Sequence, residues 1–109
     1  MPNITPTLTQ SPIIAAVRTP AQLSRALLTP VQVIFLLGGD PDTLPSLVQT
    51  ARSAQKLVFV HMDLVEGFSR DAAGVKWLAR AAHPSGILST RAPILRAAAD
   101  ESLLTVLRI

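Results

Sequence analysis

The chain has 109 residues, 49% apolar and 16% charged, with a formal charge of +3. That balance fits one folded domain and excludes intrinsic disorder. Aromatic residues make up 4% with no Tyr, which argues against a stacking platform for single-stranded bases, and the lack of Cys excludes disulfides and thiolate metal sites.

The first residues carry Pro2, Pro6 and Pro12 and no base before Arg18. This is unlike a secretory signal and is read as a flexible leader over residues 1–11, ahead of a domain over 12–109. Short apolar, β-branched runs then recur at Ile13–Val17, Val31–Leu37, Leu57–Met62, Gly86–Leu88 and Leu103–Leu107. Apolar character on both faces is the pattern of parallel strands covered on both sides. Helical stretches separate them. Thr19-Pro20-Ala21-Gln22 reads as a capping box, with Leu23, Ala26 and Leu27 as the buried stripe. The second helix has Leu44, Leu47, Val48 and Ala51 on one face behind an N-cap expected at Asp42. Val75, Leu78, Ala79 and Ala82 mark the third, and Pro93 to Asp100 a short alanine-rich fourth. No run approaches the roughly 20 residues of a membrane span, so the cytoplasm is the expected location.

Strand–helix alternation of this kind predicts a parallel α/β architecture of five strands and four helices. A doubly wound sheet could be complete at this length, whereas a closed eight-stranded barrel could not. In either case the working residues belong at the carboxyl ends of the strands. Those ends read Arg18, then Gly38-Gly39-Asp40, then His61-Met62-Asp63, then Ser89-Thr90-Arg91, then Arg108. Three bases at one rim, with helix N-termini beside them, suit a small phosphorylated ligand. His61 and Asp63, two apart, are expected to pair at the mouth, and no metal cluster is expected around them. Glu66 lies in a charged, Gly-punctuated loop that offers a further ligand contact. Residues 70–109 carry six bases against three acids, and Arg70, Lys76, Arg80 and Arg96 form the candidate surface for a phosphate backbone.

Four long blocks then stand in order: PIIAAVRT, SRALLTPVQVIFLLGGD, KLVFVHMDLVEGFSRDAAGVKWLA and PSGILSTRAPILRAA. Together they resemble the glycerol-3-phosphate-responsive antiterminator family of bacteria over about residues 11 to 108. The resemblance implies a cytoplasmic regulator with (β/α) barrel units, not an enzyme, with no cofactor. It also implies glycerol 3-phosphate as effector and the leader mRNA of glycerol-utilisation genes as partner. The motif positions at the strand ends are Arg18, Asp40, His61, Asp63, Glu66, Ser89, Thr90 and Arg91. Family members continue beyond a fifth strand, so the resemblance also implies an incomplete barrel, prone to homo-oligomerise through its open edges. The alternative function is a barrel enzyme for a phosphorylated polyol or sugar, with His61 as base. A receiver-like phosphoacceptor at Asp63 is disfavoured, because Arg18 stands where that chemistry needs an acidic pair to hold Mg²⁺.

Overall fold

The computed structural model describes residues 13–109; the expected leader over 1–11 lies outside them. Strand β1 (Ile14–Val17) leads to α1 (Pro20–Ala26), β2 (Val33–Leu36), α2 (Leu44–Ser53) and β3 (Leu57–His61). Helix α3 (Ala72–Ala81), β4 (Gly86–Ser89), α4 (Ala92–Asp100) and β5 (Leu104–Leu107) complete the alternation. The strands form a single parallel sheet in the order β1-β2-β3-β4-β5. Strand order matches chain order, so the sheet has no switch point. A doubly wound sheet would reverse direction once; this one winds one way, as barrel units do.

The two faces of the sheet divide the side chains cleanly. Val17, Ile34, Leu36, Val58, Val60, Met62 and Ile87 pack with residues of all four helices in one buried cluster. Leu23 and Ala26 come from α1, Leu44, Leu47, Val48 and Ala51 from α2, Val75 and Leu78 from α3, and Ile94 and Ala98 from α4. These are the expected stripes, except that Leu27 and Ala79 are only half-buried. The opposite face carries a separate cluster of strand side chains alone: Val33, Leu57 and Phe59, with Phe35, Leu104 and Val106 against them. Phe35 and Phe59 meet edge to face at 5.6 Å, a favourable aromatic geometry. All helices therefore cover one face, and the other is the concave lining of barrel units.

The helix starts explain themselves locally. Thr19 Oγ1 accepts from Gln22 N–H at 3.2 Å, while Gln22 Oε1 accepts from the backbone N–H of Arg18 at 2.7 Å. This is the expected capping box displaced by one residue on its return bond. For α2 the N-cap is Thr43 rather than Asp42. Asp40 takes over the capping role from outside the helix: its carboxylate accepts from the N–H groups of Asp42 and Thr43, both at 2.9 Å. The N–H that a cap at Asp42 would serve, that of Leu44, instead bonds the Asp40 carbonyl at 2.9 Å, so the Asx turn and that bond together close the start of the helix. Asp71 caps α3 through Gly74 N–H at 3.1 Å.

Three helices are followed by a non-glycine residue at positive φ, namely Gln55 (64°), His83 (54°) and Ser102 (61°). After α2, Lys56 N–H bonds Ala51 O and Gln55 N–H bonds Arg52 O. After α4, Leu103 N–H bonds Ala98 O and Ser102 N–H bonds Ala99 O. Both pairs are Schellman closures, which turn the chain sharply back toward the next strand. Strand β5 is the least covered, with its side chains half-buried or exposed and Leu107 at 53% exposure.

Candidate functional site

Sheet register decides which strand-end residues share a chamber. Ala16 pairs with Phe35, Phe35 with Phe59, Phe59 with Gly86, and Gly86 with Leu104. Side chains alternate along a strand. The next concave-side layer is therefore Arg18, Leu37, His61, Leu88 and Val106, with Arg108 one step above Val106. Those residues line one concavity of about 410 Å³ at the carboxyl ends of the strands, whose floor is Ala16 and Phe35 and whose wall includes Leu64. The result is an apolar cup with two guanidinium groups and one imidazole at its lip.

His61 is 1% exposed. The Arg108 Nη1–His61 Nε2 distance is 3.2 Å. A guanidinium only donates, so Nε2 is the acceptor and the ring is the neutral Nδ1–H tautomer. Among the described residues Nδ1 has no hydrogen-bond partner. Burial lowers the His61 pKa below its ordinary value; Asp63 pulls it back up, and Arg108 lowers it further. Held neutral beside a cation, this imidazole keeps a spare proton-binding capacity at the mouth of the cup.

Asp63 does not hydrogen-bond His61, contrary to the expected pair. One carboxylate oxygen accepts from Ser89 Oγ at 2.8 Å. The other accepts from Thr90 N–H at 2.8 Å and Thr90 Oγ1 at 2.6 Å. The cause is where β3 ends: the strand stops at His61, and a turn closed by Leu64 N–H on the His61 carbonyl at 3.1 Å takes Asp63 out of the strand's alternation. Ser89 follows Ile87 onto the helix side of β4 and meets Asp63 there. Ser89 Oγ also accepts from Arg91 N–H at 3.0 Å. Burial pushes the Asp63 pKa up, but the Thr90 and Ser89 hydrogen bonds and nearby His61 outweigh it and leave the carboxyl more acidic than usual. Asp63, Ser89 and Thr90 form a strap between two rim loops.

The remaining rim residues divide between structure and surface. Asp40 is committed to its Asx turn. Glu66 is exposed, and its backbone N–H bonds Gly39 O at 2.9 Å, tying the β3 loop to the β2 loop. Arg91 is exposed at the start of α4 and reaches the Arg70 carbonyl at 3.5 Å. Arg70 reaches Val65 O at 3.4 Å. On α3, Lys76 and Arg80 flank Trp77, which is 42% exposed and packs edge to face on Phe68 at 5.2 Å. Arg80 pairs with Glu101 at 3.4 Å, and Arg96 is exposed on α4. The structure thus gathers Lys76 and Arg80 into one patch and leaves Arg70 and Arg96 outside its lining. Among the described residues, no group of His, Asp and Glu is arranged to hold a metal ion. No helix of the described residues is long and apolar enough to cross a membrane.

Arg108 counts among the three rim bases in the sequence, yet spacing does not show that it meets His61. The signal that finds it is register: it shares its side of β5 with Val106, which lies in the layer of His61.

The comparisons with known proteins agree with this fold. The family model described as glycerol-3-phosphate responsive antiterminator matches residues 13–109. An uncharacterized protein, YgcP, of Escherichia coli is 35% identical over 102 residues, covering 94% of this chain and 53% of that protein. The crystal structure of a glycerol uptake operon antiterminator regulatory protein from Listeria monocytogenes superposes with a TM-score of 0.85 at 29% identity, covering 92% of this chain and 54% of that one. A glycerol uptake operon antiterminator-related protein from Thermotoga maritima gives a TM-score of 0.76 at 25% identity, covering 87% and 53%. The chain spans about half the length of each of these relatives. On the strength of the family match and the shared arrangement of (β/α) units, it belongs to the glycerol-3-phosphate responsive antiterminator family.

Proposed function

We propose that this chain supplies the effector-binding rim of a transcription antiterminator, a regulator in the cytoplasm that binds glycerol 3-phosphate and acts on leader mRNA. The observation that carries this reading is the apolar cup with Arg18, His61 and Arg108 at its lip. A phosphate monoester carries close to two negative charges and several acceptor oxygens. Two guanidiniums from the opposite edge strands can take those oxygens from two sides, with charge-assisted hydrogen bonds. The glycerol carbons would then rest on Leu37, Leu88 and Val106. Arg91 at the rim adds long-range attraction. Asp63, Ser89 and Thr90 hold the loops around the cup and Asp40 sets the β2 turn; Glu66, on the exposed β3 loop outside the cup's lining, would meet a glycerol hydroxyl only from the rim. The chain acts by binding rather than by turnover. For RNA, the Lys76–Arg80 patch beside Trp77 is the favoured contact, with Arg70 and Arg96 extending the positive surface.

Calorimetric titration with glycerol 3-phosphate, glycerol and inorganic phosphate tests the effector site. Glycerol 3-phosphate should bind, and Arg18→Ala and Arg108→Ala should each weaken it by about 1.5–3 kcal/mol, the range for hydrogen bonds to charged groups. Unchanged affinity in both variants would refute the placement. Filter binding of a leader transcript with and without the effector tests the RNA half, where Lys76→Ala with Arg80→Ala should lower affinity at every sequence tried.

A further inference from the structure

Resting on the effector reading, we infer that an anion entering this cup displaces Arg108 from His61 Nε2 and that the ring takes up a proton there as the anion binds. The geometry has three parts. Arg108 is exposed, so its side chain is free to swing, while its present partner is a buried ring nitrogen 3.2 Å away. An anion is a stronger partner for a guanidinium than a neutral nitrogen is. Once Arg108 turns to the anion, Nε2 is left as a bare lone pair facing a negative charge inside an apolar cup. A proton from water closes that gap: the new N–H donates to the anion, and the imidazolium charge is met in place.

The charged groups around the ring are few. Arg108 faces it from β5, Arg18 shares its layer from β1, and Asp63 follows it on the β3 loop. Strands β2 and β4 contribute only Leu37 and Leu88. In the free chain burial and Arg108 hold the ring neutral below its ordinary titration range. The anion adds the opposite sign next to it and raises that range. Between the two, binding is linked to proton uptake. Affinity therefore rises as pH falls across this window, by at most tenfold per pH unit for one proton. The Nδ1–H, without a partner among the described residues, keeps its proton throughout, so the ring ends as a cation with both nitrogens protonated.

The test is calorimetry of the full chain in buffers of different ionisation enthalpy, across about pH 5 to 8. Glycerol 3-phosphate is one probe, and sulfate, which does not titrate in this range, is the other. The expected result is a net proton uptake on binding that His61→Gln abolishes, leaving only the ligand's own phosphate titration. Buffer-independent heats with sulfate, or identical uptake in wild type and His61→Gln, would overturn the inference. Should His61→Gln not fold, the His61 ring resonance in the wild type gives the answer: its titration midpoint should rise on saturation with sulfate, and an unmoved midpoint overturns the inference. The same resonance in ligand-free Arg108→Leu should titrate higher than in wild type. Binding of glycerol 3-phosphate without proton uptake would remove this coupling and leave the effector site standing. Sulfate binding with uptake, but no binding of glycerol 3-phosphate, would do the reverse.

Discussion

The carbonyl oxygen of Ser69 lies over Gly74 in the first turn of α3, so close that a Cβ on that glycine would sit 1.8 Å from it. Two effects oppose each other when Gly74 becomes Ala. Helix propensity favours Ala by about 1 kcal/mol. The clash is with backbone, which has no rotamer to yield, and overpacking of that kind costs about 1–3 kcal/mol or more. The clash wins. Gly74→Ala should lower the urea midpoint and loosen the loop that carries Glu66 to Arg70.

Gly86 poses the same question inside the sheet. A Cβ there would come 2.6 Å from the Leu104 carbonyl and 2.6 Å from Phe59 Cε2. The ring can tilt but the β5 backbone cannot follow without breaking its ladder. Gly86→Ala should therefore destabilise the β4–β5 half, seen as lost amide-exchange protection in β5 before β1.

Asp63→Asn removes the charge from the rim strap and replaces one acceptor oxygen with an amide donor facing the Ser89 hydroxyl or the two Thr90 donors. The cost should be about 1.5–3 kcal/mol, the range for a charge-assisted hydrogen bond. The pH dependence follows from the direction of the shift. The folded carboxyl is more acidic than the unfolded one, so its stabilisation is full above the unfolded value of about 3.9 and is lost as pH falls through the folded value. Chemical denaturation from pH 6 down to about 2.5 should show a loss that Asp63→Asn does not show.

His61 acts at higher pH and with the opposite chemistry. Its folded pKa lies below the ordinary 6.5, so the unfolded chain binds the extra proton first. Stability should be flat above about pH 7, decline as pH drops below 6.5, and level off below the folded value. His61→Gln should flatten that part of the curve.

Gln55 and Ser102 occupy left-handed positions at the ends of α2 and α4. A side chain there costs about 1–2 kcal/mol relative to the right-handed region, while glycine adopts it freely. Gln55→Gly and Ser102→Gly should each raise the melting temperature. Part of the gain is offset by the greater freedom of glycine in the unfolded chain.

Much of the fold is legible in the residues themselves. All five strands fall within two residues of their apolar runs. The stripe Leu44, Leu47, Val48 and Ala51 is buried as the 3.6-residue period requires. Local chemistry carries those readings. The α2 helix starts one residue later than Asp42 predicts because Asp40, two residues earlier, folds the chain into an Asx turn and takes the Leu44 N–H on its own carbonyl, and competing turn and cap residues cannot be ranked from spacing alone. The site is legible only as a set of strand ends. Which of them meet depends on tertiary quantities: strand register brings His61 to Arg108 in the cup, and the turn directly after β3 carries Asp63 to Ser89 on the helix side. Asp63 stands at a strand end, as spacing alone shows, but its partners are Ser89 and Thr90 rather than its near neighbour His61.

The matching of strand order to chain order has a kinetic meaning. Each strand's register partner lies roughly 18 to 27 residues away along the chain. Closing the longest of those loops costs only about 0.4 kcal/mol more than closing the shortest. No strand has to wait for a distant segment, and no later strand must wedge between two already paired. A chain emerging N-terminus first can therefore lay each (β/α) unit onto an edge that already exists, and its strand pairings are as local as right-handed crossovers in a parallel sheet allow.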